Sequence, residues 1–503
     1  MSSPRHELLA LLRLALPLIG AQLAYVAMVF TDTLMMGRLG PAALAGGGLG
    51  AAVYSFVSVI CVGVVTAVAN LAAQRRGAGD QEGVAAVTAA GIWIALALAL
   101  LAGSLLWHSE PLLALAGQPE ESRQAAEVFL RGLAFALPGH LLFMTLRGFT
   151  SALERPGPVL AIVLGAAGLN ALLNLALLHG WGGLPRPGLA GIGAVTAVVM
   201  NGAALCLALY ITHHPAYAAY PLARYLRRPD RRALGATLGQ GLAISGTYAV
   251  EACLFLAAAL CMGALGSTAL AANQIANQLV YLVFMLPAGL SYATSIRIGQ
   301  HQGAGRPREA LLVGRLALAS GVLLGLGMAL VFWLLPATLV SLFLSRATDS
   351  ALFDLARGLV LIAAWFVIVD GVQAIAQGAL RGIGQARLGL LGGLLCYCLV
   401  GALGAWLFGV HLAWGPRAVW WSLALGLACA ALLLTVMFEA LLRRQLPAHP
   451  SKLTSDISTV EPSGLVEIRS VLKERTCPRE QDMTPRGSAD GTLHSRRRPS
   501  AVS

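Results

Sequence analysis

Lysine is almost missing from this chain. Of 35 basic residues only Lys452 and Lys473 are lysines, and both lie near the C-terminus. The apolar part therefore offers no lysine for Schiff-base chemistry. Neither lysine follows a glycine, so no phosphate-binding loop ending in Gly-Lys exists and ATP hydrolysis by that route is excluded. Charge of either sign is also scarce, at 12% of residues, against about 25% in ordinary globular domains. A soluble protein that is 57% hydrophobic with mean hydropathy +0.74 could not keep its apolar surface from water. There is no HExxH pattern and no histidine cluster, which excludes the common zinc hydrolases. Seven of the eight cysteines (Cys61, Cys206, Cys253, Cys261, Cys396, Cys398 and Cys429) sit in apolar runs as small hydrophobes, and Cys477 lies in a polar tail. No metal site is expected from them, because zinc wants about four clustered ligands.

What is present is a succession of long apolar runs. About 20 residues cross a hydrocarbon core as a helix. Spans are predicted near 10–36, 42–73, 83–107, 124–150, 157–180 and 190–213, and again near 236–263, 268–298, 310–336, 354–380, 386–410 and 417–443. The first is too long, and carries Asp32, to be a cleaved signal segment. Glycine, at 57 of 503 residues, suits close helix packing in lipid. The expected fold class is an all-α membrane protein of twelve transmembrane helices.

Arginine placement gives the orientation. With twelve spans, Arg5, Arg75, Arg76, Arg155, Arg224, Arg227, Arg228, Arg231, Arg232, Arg306, Arg308, Arg387, Arg443 and Arg444 share one side. The other side holds Arg38, Arg123, Arg186, Arg346, Arg357 and Arg417, with Glu110, Glu120, Glu121, Asp349 and Asp354. Both termini are expected in the cytoplasm. From 445 to 503 the chain turns polar, with nine basic and seven acidic residues and no apolar run. That composition cannot bury enough surface to fold and reads as a disordered cytoplasmic tail.

The chain also repeats itself. Met36-Gly37-Arg38-Leu39-Gly40-Pro41-Ala42-Ala43-Leu44-Ala45 matches Met262-Gly263-Ala264-Leu265-Gly266-Ser267-Thr268-Ala269-Leu270-Ala271 at an offset of 226. Gly77-Ala78-Gly79 matches Gly303-Ala304-Gly305 at the same offset. Leu146-Arg147-Gly148 and Leu380-Arg381-Gly382 end spans 4 and 10 at an offset of 234. Six spans per unit keep both copies in one orientation, the pattern of transporters whose halves rock about a central site. The expected division is a six-helix lobe over 1–215, a cytoplasmic linker over 216–235, a second six-helix lobe over 236–444 and the tail over 445–503.

Acids inside the spans mark the chemistry. A carboxylate at a helix centre costs roughly 2.5–3.5 kcal/mol on insertion scales and is normally kept for function. Asp32 in span 1, Glu251 in span 7 and Asp370 in span 10 qualify. The bland alternative is a structural ion pair, but no arginine is expected deep in those spans. An unpaired buried carboxylate takes up a proton or holds a cation. Asn170 and Asn174 share one face of span 5, and Thr196 and Asn201 lie on span 6. Asn273, Gln274, Asn277 and Gln278 on span 8 are read first as interhelical glue. Tyr25, Phe30, Tyr54, Tyr281, Phe284 and Trp365 are candidates to line a site for organic cations, although most such residues pack or face lipid. Pro17, Pro138 and Pro287 interrupt spans 1, 4 and 8.

These residues resemble the multidrug and toxic compound extrusion (MATE) family, in its NorM-like branch. The resemblance rests on Phe30-Thr31-Asp32-Thr33, Leu146-Arg147-Gly148-Phe149 and Ala271-Ala272-Asn273-Gln274. It continues in Leu282-Val283-Phe284-Met285-Leu286-Pro287, Ser295-Ile296-Arg297-Ile298-Gly299 and Val369-Asp370-Gly371-Val372-Gln373, and covers about 8–444. It implies a two-lobed fold and antiport of organic, often cationic compounds against Na+ or H+, with no other cofactor. It implies that Asp32 works with Asn170, Asn174 and Thr196, and that Glu251 and Asp370 bind the coupling cation, Na+ included. Asn174 stands where many relatives carry Asp, and His140 is a further departure. The expected setting is a bacterial inner membrane. The expected partners are small-molecule organic cations or drugs and membrane lipid, with no nucleic acid, and the chain is expected to act as a monomer and not as an enzyme. The competing transporter reading is a lipid-linked oligosaccharide flippase, disfavoured because the intramembrane charges read as acidic.

Overall fold

The computed structural model describes residues 3–115, 117, 119–181, 187–345 and 349–446. The predicted tail lies outside the described residues beyond 446, as do Arg186 and Arg346. Among the described residues, twelve helices are long and apolar enough to cross a membrane. They are α1 (Pro4–Leu39), α2 (Pro41–Gly77), α3 (Gln81–Trp107), α4 (Glu120–Ala152), α5 (Gly157–His179) and α6 (Leu189–His213), followed by α7 (Arg231–Ala264), α8 (Ser267–Gly303), α9 (Pro307–Leu334), α10 (Ser350–Gly382), α11 (Ala386–His411) and α12 (Pro416–Gln445). Ten of the twelve contain their predicted span whole, with polar end turns continuing most of these helices past it, while α5 ends one residue before its span does and α9 two residues before.

Local chemistry sets the ends. Asp80, Asp230 and Asp349 cap α3, α7 and α10 by accepting backbone N–H bonds at 2.7, 2.8 and 2.9 Å. The turns from α1 to α2 and from α7 to α8 each pass through one glycine, Gly40 at φ 113° and Gly266 at φ 117°, a region closed to most side chains. These two glycines differ by the repeat offset. The predicted linker contains a short helix, Leu222–Arg227. Its Arg224 and Tyr225 bind Glu82 on α3 at 3.2 and 2.9 Å. Its last five residues belong to α7.

The two halves, α1–α6 and α7–α12, meet in a way that the repeat explains. Gly63 on α2 lies against the backbone of Ser245 on α7, where an added Cβ would fall 2.6 Å from its Cα. Gly289 on α8 lies against Ile19 on α1, with the corresponding distance 2.9 Å. Gly63 and Gly289 differ by 226, and so do Ile19 and Ser245. The same contact is thus made twice about a pseudo-two-fold axis between the halves, as parallel repeats require.

Among the described residues, the hydrogen bonds joining the halves all lie toward the face that carries the N-terminus. Ser295 donates to Asn70 Oδ1 at 2.6 Å, Gln74 to the Gly382 carbonyl at 2.9 Å, and Gln300 to the Ala152 carbonyl at 3.0 Å. Arg297 bridges Glu7 at 3.0 Å and Glu154 at 2.5 Å, and His301 sits 3.3 Å from Glu7. Toward the opposite face Phe30, Leu34, Leu39, Leu270 and Tyr281 are exposed. The halves therefore close on one face and part toward the other.

Candidate functional site

Asp32 is buried inside the first half, and three donors converge on it. Asn170 and Asn174 donate to Oδ1 at 3.1 and 2.8 Å, and Thr196 donates to Oδ2 at 3.0 Å. One turn of α5 separates the two amides, so both reach the same oxygen. Charge-assisted bonds of this kind hold a carboxylate in one orientation. Asn174 Oδ1 remains buried without a partner among the described residues. The structure thus joins Asp32, Asn170, Asn174 and Thr196, the four residues grouped from the resemblance. Asn201 instead bonds the Phe135 carbonyl on α4 at 2.8 Å.

The second half holds a different arrangement. Asp370 is only 3% exposed, and its Oδ1 has no hydrogen-bond partner among the described residues. Glu251 on α7 is its electrostatic neighbour, and Tyr397 on α11 lies within the field of both. Gln373, one turn after Asp370, donates to the Tyr397 hydroxyl, while its own Oε1 is buried and unpartnered. Tyr397 lies in a π-helical stretch, Cys396–Ala402, a distortion that often accompanies functional sites. Gly371 follows Asp370 and faces Pro287 on α8, where an added Cβ would stand in ordinary contact at 3.4 Å. Two carboxylates and an amide oxygen with spare lone pairs make a site that would accept a small cation or a proton. No group of three or more His, Cys, Asp or Glu able to hold a metal occurs among the described residues.

The aromatic candidates divide. Tyr25 stacks on His140 with ring centroids 5.3 Å apart, and Tyr54 places its hydroxyl 3.4 Å from His140 Nδ1. His140 also sits 3.2 Å from Ser58 Oγ, while its Nε2 has no partner. Tyr25 and His140 border a cavity inside the first half, lined also by Met28, Phe143, Met144 and Arg147. Tyr281 on α8 is about half exposed. Phe284 is half-buried. Phe30 and Trp365 are 65% and 51% exposed, Trp365 edge-on to Trp333 on α9. On span 8, Asn273 accepts from Trp420 at 3.1 Å, the structural use expected for it, while Gln274 and Gln278 are exposed.

One expectation needs correction. The intramembrane charges are not only acidic, and an arginine does reach the neighbourhood of spans 7 and 10. Arg147 and Arg381, repeat markers at span ends that carry part of the resemblance but no expected role at a site, are both buried at 7% exposure. Arg381 turns back from the end of α10 to the Tyr248 hydroxyl at 3.0 Å and Ser291 Oγ at 2.8 Å. Its charge acts on Glu251. An arginine at a span end can reach inward by its long stem. The signal available in the sequence was its recurrence at the same place in both halves.

The comparisons with known proteins follow this geometry closely. The sequence profile of the MatE family matches residues 17–176 and 243–407, one segment in each half. The "Probable multidrug resistance protein NorM" of Pseudomonas aeruginosa is 52% identical over 493 residues, covering 97% of this chain and all of that protein. The protein of the same description from Pseudomonas putida is 53% identical, covering 88% of this chain and 96% of its own. Among solved structures, one described as an outward-facing conformation of a multidrug resistance MATE family transporter superposes with a TM-score of 0.81 at 18% identity, covering 89% of this chain and 98% of that one. The eukaryotic MATE transporter AtDTX14 superposes at 0.78 with 21% identity, covering 88% and 98%. A profile match in both halves, relatives more than half identical along nearly the whole chain and a shared fold lead to one statement: the protein belongs to the MatE family, the multidrug and toxic compound extrusion transporters, and to its NorM-like branch.

Proposed function

We propose that this chain is a secondary active multidrug exporter that carries organic, often cationic compounds out of the cell against an inward flow of Na+ or H+. The observation that carries the reading is the buried, unpartnered Oδ1 of Asp370 beside Glu251. Two neighbouring carboxylates in a dry interior repel each other strongly, and one cation or proton between them relieves that cost. Occupancy therefore has a large differential energy, which is what coupling to a gradient needs. A single charge moving inward gains about 2.3 kcal/mol per 100 mV.

Asp32, with its three donors, is the second ion-responsive group in this reading, and it borders the aromatic interior of the first half. The face bearing the N-terminus, Arg75, Arg76, Arg155 and Arg306 is assigned to the cytoplasm of a bacterial inner membrane. The closed side then faces inward, and substrate leaves through the parted side. The names of the NorM relatives as multidrug resistance proteins support the substrate class.

The test is efflux of ethidium from proteoliposomes under a sodium gradient and a pH gradient imposed separately, with Asp370→Asn beside the wild type. Efflux that follows one gradient and fails in the variant supports antiport and names the ion. No efflux under either gradient would overturn the reading and favour a lipid or other amphiphile as cargo.

A further inference from the structure

Four residues that the repeat relates stand together at the floor of the cleft. Arg147 donates to Gln22 Oε1 at 2.7 Å, and Arg381 donates to the Tyr248 hydroxyl at 3.0 Å. Gln22 and Tyr248 are equivalent positions at the offset of 226, and Arg147 and Arg381 at 234. Each half therefore points one guanidinium at the same place. They meet at Tyr292 of α8, whose ring centroid is 5.2 Å from the Arg147 guanidinium carbon and 5.9 Å from that of Arg381. The Tyr292 and Tyr248 hydroxyls are 3.2 Å apart. One turn further along α8, Ser295 makes the bond to Asn70 that closes the halves. Tyr292, Tyr248 and Gln22 remain partly exposed, so the cluster borders open space.

Neither arginine forms an ion pair among the described residues. Their hydrogen bonds go to an amide oxygen and two hydroxyls, with Met144 Sδ 3.7 Å from Arg147. Arg381 Nε is buried with no partner among the described residues. Two cations gathered on one tyrosine repel each other, and cation–π contact offsets only a small part of that cost. Of the two arginines only Arg381 has Glu251 in its field, and Arg147 has no carboxylate partner among the described residues. Arg147 also lines the cavity that holds Tyr25, Met28, His140 and Phe143. Aromatic surface leads directly to an unpaired guanidinium.

We propose that Arg147 and Arg381, with Tyr248 and Tyr292, form a subsite for the carboxylate or other anionic group of an aromatic amphiphile. The planar guanidinium fork matches a carboxylate better than any other side chain does. The ligand's charge removes the repulsion between the arginines, and its rings occupy the aromatic wall beside Arg147. The proposal rests on the exporter reading only in treating this ligand as cargo.

Rhodamine 110 and rhodamine 123 differ by one group, a free carboxylate in the first and its methyl ester in the second. Binding of each to the purified full-length protein in phosphatidylcholine nanodiscs is read by fluorescence anisotropy. Wild type is expected to bind rhodamine 110 at least as tightly as the ester. In Arg147→Gln and Arg381→Gln the ratio of the two Kd values should move about tenfold against rhodamine 110, and in Arg147→Lys clearly less. An unchanged ratio in both Gln variants, or a wild type that binds only the ester, would overturn the subsite. Should a variant fail to fold, wild type still decides. Toluenesulfonate, an aromatic anion, should displace rhodamine 110 while neutral toluenesulfonamide at the same concentration does not, and equal effects count against the subsite. Failure of the exporter reading shows separately, as absence of gradient-driven ethidium efflux from a protein that still discriminates the dyes.

Discussion

Gly303 on α8 lies so close to the carbonyl oxygen of Gln74 on α2 that the two backbones touch, and Gly77 lies in the same way against the carbonyl of Gln300. The pair is its own image under the repeat, since 77 and 303, and 74 and 300, both differ by 226. A methyl group at Gly303 would fall inside the Gln74 carbonyl. Overpacking of this kind costs about 1–3 kcal/mol, and here the cost falls on the closed state alone. Gly303→Ala should lower the thermal midpoint in detergent and expose Ser295. Labelling of a cysteine placed at 295, in a background without native cysteines, is the readout. Wild-type melting together with wild-type protection of that cysteine would show the contact to be dispensable.

Arg297 makes a second prediction about the same face. It serves Glu7, which is 2% exposed, and Glu154, which is half exposed. Removing one partner of a buried ion pair costs up to about 3–5 kcal/mol, and less here because His301 also stands 3.3 Å from Glu7. Arg297→Ala should therefore loosen the closed face more than Arg155→Ala, on the same face. Spin labels on α2 and α8, read by pulsed electron resonance, should show a broadened distance distribution for the first variant only.

At Asp32 the donors can be removed singly. Thr196→Val deletes the only side-chain bond to Oδ2 among the described residues and leaves Oδ1 doubly bonded. A hydrogen bond to a charged group is worth about 1.5–3 kcal/mol, so ethidium export should fall roughly tenfold or more with expression unaffected. Asn174→Asp instead sets a second carboxylate beside the first. Such a pair shares one proton, and export by this variant should depend more steeply on an imposed pH gradient than on sodium. Identical gradient dependence in the variant and wild type would argue against Asp32 as an ion-responsive group.

Tyr397→Phe tests the other half. It removes the hydroxyl that holds Gln373 while leaving Asp370 and Glu251 in place. The amide then turns more freely. The ion concentration for half-maximal efflux should rise about tenfold, one lost hydrogen bond to an oriented ligand, with maximal efflux nearly kept. A variant that loses maximal efflux without a shift in ion requirement would assign Tyr397 to substrate passage.

The sequence made some of this legible and hid the rest for a physical reason. Spans were readable because lipid demands unbroken apolar length, and the repeat because Gly40, Gly77 and Leu146-Arg147-Gly148 recur in order. Asp32, Asn170, Asn174 and Thr196 could be grouped because polar residues are so few there. What could not be read was which face of each helix turns inward. In lipid both faces are apolar, so a face exposed to chains of lipid and a face in the protein core look alike. Phe30 and Trp365 stand near Asp32 and Asp370 along the chain, yet each is more than half exposed. Arg147 and Arg381 were placed at helix ends by position along the chain, and only their stems carry them inward.

The doubled interface has a further consequence. A dimer of identical six-helix subunits could make every contact seen between Gly63 and Ser245 twice, but it could never hold different residues at the two equivalent sites. A single chain can. The position occupied by Tyr25 in the first half is occupied by Glu251 in the second. The molecule is thus nearly symmetric as a solid body and lopsided as a distribution of charge. A hinge built on matched halves moves both sides together, and a charge placed on one side alone decides what moves it.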